Sequence, residues 1–247
     1  MTIALITGAS RGLGQSTALQ CAARGSGVML TYNSHPEGAD LTVRAIEADG
    51  GKAVALKLDV SDTGSFPAFA KAVAAALAAT WGRNDFDHLV NNAGYGLFKS
   101  IATVTEAEFD GLFAVRLKGP FFLTQALLPL IADGGAIVNL TSATTRVANA
   151  GVAPYAAFKG GLEVLTRYMA KEFAERRIRA NAMSPGPIRT ELGGGLNDEF
   201  EALLSGQTAL GRVGEPDDVG RVVAGLLSDD SGWINAQTIE VAGGYIG

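Results

Sequence analysis

Cysteine is nearly absent. The chain of 247 residues has one, Cys21, so no disulfide can form within it, and this usage fits a reducing compartment. Histidine is almost as scarce. His35 and His88 are the only two and stand far apart, and no group of His, Cys and carboxylates has metal-ligand spacing; no metal is expected. Basic runs are missing: Lys and Arg number 20 against 25 Asp and Glu, a net charge of −5. Nucleic acid is excluded as a partner, because phosphate recognition needs clustered cations. Long apolar runs are missing too. The longest stretch without Asp, Glu, Lys or Arg is Gly119–Ala132, shorter than the roughly 20 residues a membrane span needs. Met1 leads into apolar residues with no basic segment before them, so no signal peptide is expected. A cytoplasmic protein without membrane or nucleic-acid partners is the expectation.

Apolar residues are plentiful, at 47% against 18% charged, which is enough for a large core and excludes disorder. The 32 glycines follow no Gly-X-Y period, so collagen is excluded. No repeat or linker breaks the chain, and one domain over 1–247 is expected.

Short β-rich runs alternate with longer helical patterns. Strands are expected at 2–7, 28–32, 53–58, 86–90, 136–140, 178–183 and 238–241. Helices are expected at 12–24, 36–49, 62–79, 106–131, 153–174 and 216–228, with Gly119-Pro120 as an irregularity in the fourth. Residues 186–214 read as glycine-rich and irregular, with a short helix near 199–205. Strand–helix alternation predicts right-handed βαβ units, hence an α/β, doubly wound, Rossmann-type fold with about seven parallel strands and helices on both faces. Ligands in such sheets bind beyond the carboxyl ends of the strands, so the residues after each strand carry the chemistry.

The first strand runs into Thr7-Gly8-Ala9-Ser10-Arg11-Gly12-Leu13-Gly14. Glycines let the backbone approach a pyrophosphate, and the free N–H groups of the next helix bind anions. No Gly-Lys-Ser/Thr follows, so this is not a P-loop. NAD-preferring folds carry an acid at the end of the second strand for the ribose 2′-hydroxyl. Here that strand ends Thr31-Tyr32-Asn33-Ser34, and Arg11 stands in the glycine loop. A cation with neutral hydrogen-bonding groups suits a 2′-phosphate, which favours NADP(H) over NAD(H).

The fifth strand leads to Ser142, followed by Tyr155 and Lys159 on one helix face. An ammonium one turn away favours phenolate and suits the tyrosine to proton exchange. The serine is placed to hydrogen-bond a substrate oxygen.

Together with Leu58-Asp59-Val60, Asn91-Asn92-Ala93-Gly94 and Pro185-Gly186-Pro187-Ile188-Arg189-Thr190, these motifs run in order along nearly the whole chain. The sequence resembles the short-chain dehydrogenase/reductase family in its compact form. The resemblance implies a cofactor site made by Gly8, Ser10, Arg11, Gly12, Leu13, Gly14, Tyr32 and Asn33. Asp59 and Val60 would border the adenine. Asn91, Ala93 and Gly94 would line the cofactor, and Pro185, Ile188 and Thr190 would meet its nicotinamide end. It implies Tyr155 as general acid/base, Lys159 as the residue that holds the nicotinamide ribose and tunes the tyrosine, and Ser142 as the residue that orients the carbonyl. The implied substrate is a small carbonyl compound or secondary alcohol, with a lid at 193–214 and with Tyr95, Thr144, Asn149 and Leu192 as neighbours. A homodimer or homotetramer is implied, through the helices after the fourth and fifth strands.

Two departures stand out. Arg116 occupies a place where the family usually has an asparagine that supports a water chain. It either points inward toward Lys159, or turns to solvent or pairs with an acid. Asn235-Ala236-Gln237 carries alanine where the family often has glycine, which reads as a tolerated loop change. Binding of NADP(H) without turnover, and NAD(H)-dependent alcohol oxidation, stay open as alternatives.

Overall fold

The computed structural model describes residues 1–246. Seven parallel strands form one sheet in the order β3-β2-β1-β4-β5-β6-β7. They are β1 (Ile3–Ile6), β2 (Gly27–Tyr32), β3 (Ala53–Lys57), β4 (Phe86–Asn91), β5 (Ile131–Leu140), β6 (Arg179–Pro185) and β7 (Thr238–Val241). The order reverses at β1 and β4, and the carboxyl ends of these two strands open the crevice in which a ligand is expected.

Eight α-helices connect the strands: α1 (Gly12–Ala23), α2 (Pro36–Ala48), α3 (Phe66–Trp81), α4 (Glu106–Phe113), α5 (Gly119–Leu127), α6 (Ala153–Glu172), α7 (Asp198–Gly206) and α8 (Pro216–Leu227). The β1 side chains alternate between two cores. Ile3 and Leu5 join Phe66, Val73, Leu77, Leu123 and Met169 on the face covered by α3, α5 and α6. Ala4 and Ile6 join Ala18, Cys21, Val219 and Val223 on the face covered by α1, α2 and α8. Burial on both faces explains the continuous apolar run of β1. No helix among the described residues is long and apolar enough to cross a membrane.

Four details refine the sequence expectation. The long fourth helix ends earlier, because Ile131 already pairs with Phe86 in the sheet. A register shift between Phe86 and His88 accommodates the Gly134-Gly135 pair inside β5, so those glycines make a bulge in a strand rather than a helix end. The irregular turn is at Ala114–Lys118, one wide π turn just before Gly119-Pro120. Proline lacks the N–H that an α-helical bond to residue 116 would use, which favours the wider turn upstream. Finally, Ala236 has φ +60, in the left-handed region that costs an alanine roughly 1–2 kcal/mol. That strain is the physical content of the glycine departure.

Candidate active site

The site begins where β1 and β4 end. Thr7 Oγ1 accepts from the N–H groups of Asn92 and Ala93 at 2.9 and 3.0 Å. Asn92 Nδ2 donates to the carbonyls of Thr7 and Gly8 at 2.8 and 3.0 Å. These bonds lock the glycine loop against the loop after β4. Gly8 has φ +65 there, and a side chain on it would meet Ala93 Cα at 2.8 Å. α1 then starts at Gly12 with no acid in its first turn and no side-chain cap. Its first N–H groups and the positive end of its dipole are left for an anion.

A cleft of about 1070 Å³ runs from this loop across the carboxyl edge of the sheet. It is long enough to be lined by the glycine loop at one end and by Ser142, Tyr155 and Lys159 at the other. Gly8, Ser10, Arg11, Gly12, Leu13, Gly14, Tyr32, Asn33, Asp59, Val60, Ala93, Gly94, Pro185, Ile188 and Thr190 all line it, as do Tyr95 and Leu192. Asp59 is held below the usual carboxylate range, chiefly by the Ser61 hydroxyl and then by the Ser61 N–H. Asn91 does not line the cleft. Its amide donates to Asn139 Oδ1 at 2.8 Å and to Thr124 Oγ1 at 3.1 Å inside the core, and Asn139 continues the chain to Thr166. Thr144 and Asn149 are also outside the lining, although Thr144 Oγ1 bonds to Ser142 Oγ at 3.0 Å. His35, Asn92 and Glu191 line it without having been singled out as site residues. The doublet of asparagines was the available signal for Asn92.

Lys159 is 3% exposed, and its ammonium donates to the carbonyl of Leu140 at the end of β5. Its Nζ lies 5.7 Å from the centre of the Tyr155 ring. Arg116 points inward: it is 4% exposed, and its Cζ stands 5.0 Å from the same ring centre. Its Nε donates to the carbonyl of Tyr95 at 2.9 Å, and Nη2 donates to the same oxygen. Gly94, at φ +152, leaves the room that this guanidinium fills. Among the described residues Arg116 has no carboxylate partner within salt-bridge reach. Burial, and then the charge of Arg116, push the Lys159 ammonium well below its usual pKa. Ser142 Oγ receives Thr144 N–H at 3.3 Å, while Tyr155 Oη has no hydrogen-bond partner among the described residues. One end of the cleft therefore presents anion-binding amides, and the other presents two hydroxyls beside the buried side chains of Lys159 and Arg116.

The family model described as Enoyl-(Acyl carrier protein) reductase matches residues 8–246. The chain belongs to the short-chain dehydrogenase/reductase family. It is 40% identical to an uncharacterized oxidoreductase of Methylorubrum extorquens, covering 98% of this chain and 96% of the relative. It is 38% identical to the 3-oxoacyl-[acyl-carrier-protein] reductase FabG of Staphylococcus aureus, covering 98% of this chain and 96% of that protein. Among solved structures, the angucycline C-6 ketoreductase LanV with bound NADP superimposes with a TM-score of 0.95 at 34% identity. That match covers 99% of this chain and 95% of LanV. Within this short-chain dehydrogenase/reductase, the seven-stranded parallel sheet and the cleft at its carboxyl edge are the family's architecture.

Proposed function

We propose that this oxidoreductase uses NADP(H) to interconvert a ketone or aldehyde and the corresponding secondary or primary alcohol. The observation that carries the reading is the convergence of Ser142, Tyr155 and Lys159 on the cleft whose other end is the glycine loop. The residues fit a dinucleotide, because the uncapped start of α1 would hold the pyrophosphate and Arg11 with Asn33 would meet the ribose phosphate. The nicotinamide supplies hydride chemistry when bound. Ser142 Oγ accepts from both Thr144 groups, so its own O–H is available to orient a substrate carbonyl. Tyr155 gives its proton to that oxygen in reduction and takes it back in oxidation. Lys159 holds the nicotinamide ribose. Residues 193–214, including α7, cover the substrate. FabG and LanV act on ketones, as their names state, which favours a keto substrate.

NADPH consumption across ketoesters, diketones, aromatic polyketides, sugars and aldehydes tests the reading. Tight NADPH binding with no turnover anywhere on such a panel would instead favour a binding protein without catalysis, a reading that Arg116 keeps in play. Cofactor choice is a separate expectation. kcat/KM should favour NADP(H) over NAD(H) by at least about tenfold, equivalent to roughly 1.4 kcal/mol, and Arg11→Ala should narrow the gap. Equal use of the two cofactors would refute it.

We also infer self-association. Phe109, Phe113, Phe121 and Phe122 on α4 and α5 stay between 37% and 44% exposed. On α6, Leu162 and Met169 belong to the core, and the outward apolar positions are Val164 and Tyr168. A partly open surface of this size is suited to a second copy. Light scattering at micromolar concentration should give a dimer or tetramer, and a mass of 25.4 kDa would end the idea.

A further inference from the structure

Arg11 is held from two sides at the mouth of the cleft. Its Nη1 donates to Glu191 Oε2 at 2.7 Å and to His35 Nε2 at 3.1 Å. A guanidinium only donates, so Nε2 accepts, the ring proton is on Nδ1, and Nδ1 donates to Ser34 Oγ at 2.9 Å. Arg11 and His35 stand just before α1 and α2, on the wall formed by the first two strands. Glu191 belongs to the opposite wall, in the segment that leaves β6. All three line the cleft. Arg189, two residues earlier, is already paired with Glu201 and Glu215, and Glu191 is paired with Arg11.

We infer that Glu191 is an internal competitor for the cofactor: its carboxylate occupies Arg11 until the 2′-phosphate of NADP(H) displaces it, which weakens NADP(H) binding and leaves NAD(H) binding unaffected. The inference rests on the reading that Arg11 recognises that phosphate. The pair is suited to exchange. The Arg11 and Glu191 side chains are 54% and 76% exposed, and exposed ion pairs are weak. A phosphate brings more charge and three acceptor oxygens, so it displaces one carboxylate from the guanidinium, while the second Nη1 hydrogen stays on His35 Nε2. A ribose hydroxyl brings no charge and leaves the Arg11–Glu191 bridge in place. Downstream, Gly194 and Gly195, at φ of +100 and +84, separate Glu191 from α7.

The test is a double-mutant cycle on cofactor affinity, read by titration calorimetry or NADPH fluorescence in the absence of substrate. Parent, Glu191→Gln, Arg11→Ala and the double variant are each titrated with NADPH and with NADH. Glu191→Gln should tighten NADPH about two- to fivefold, the range open to an exposed ion pair, and leave NADH nearly unchanged. In the Arg11→Ala background the same substitution should have no effect on NADPH. A gain that persists without Arg11, or that is equal for both cofactors, would overturn the inference in favour of a general repulsion of anions. No gain at all, in a parent that prefers NADPH and loses the preference in Arg11→Ala, overturns the inference and leaves the cofactor reading intact. A parent that binds the two cofactors equally overturns both.

Discussion

Tyr155→Phe is expected to lower turnover by about two to four decades, the usual worth of positioned acid–base catalysis, while the Kd for NADPH changes little. The substitution keeps the ring and removes only the exchangeable proton. The ring is what the surroundings grip: Arg116 stands 5.0 Å and Lys159 5.7 Å from its centre, and cations hold an aromatic face whether or not it carries a hydroxyl. Tyr155 Oη has no hydrogen-bond partner among the described residues, so its loss leaves no protein donor or acceptor stranded. Folding should therefore survive, and the deficit should appear in the chemical step. Single-turnover oxidation of prebound NADPH measures that step directly. A folded variant that keeps its rate would remove Tyr155 from the mechanism and move attention to Ser142.

How much of this was legible in the sequence depends on the range of the interaction. The glycine loop, the Tyr155/Lys159 pair and the seven strands are local patterns, and they are found where spacing and periodicity put them, except that β5 starts at Ile131 rather than at Ala136. The family resemblance puts Asn91 at the cofactor, yet it does not line the cleft, for a reason that strand geometry supplies. Successive side chains point to opposite faces, so of Asn91 and Asn92 only one can reach the glycine loop, and it is Asn92. Motif spacing cannot choose between two identical neighbours. The cluster of Arg11, His35 and Glu191 joins residues 24 and 180 positions apart, which no local pattern reveals. Ile131 read as helix because a bulged strand start of mixed composition has no period of its own. The direction of Arg116 was open because it is set by the π turn at Ala114–Lys118, which rotates the side chain relative to an uninterrupted α-helix.

With that direction known, Arg116→Asn is expected to change kcat and its pH dependence more than KM for NADPH. Arg116 is a buried cation that donates twice to the Tyr95 carbonyl and accepts from nothing, since a guanidinium has no acceptor. An asparagine both donates and accepts, and its shorter side chain leaves space for water beside that carbonyl. The electrostatic change has a definite sign. Burial first, and the neighbouring Arg116 second, disfavour the ammonium form of Lys159, so Lys159 loses its proton at a lower pH than an ordinary lysine. Removing the guanidinium deletes the second cause and keeps the first. The limb of the kcat profile that follows Lys159 should then move to higher pH in Arg116→Asn. Arg116→Met separates charge from hydration, because it deletes the charge while refilling most of the volume. If charge sets the profile, the Asn and Met variants shift together. If water beside Tyr95 matters, only the Asn variant gains rate. Profiles of both variants that superimpose on the parent would show that residue 116 holds the Tyr95 loop and takes no part in moving protons.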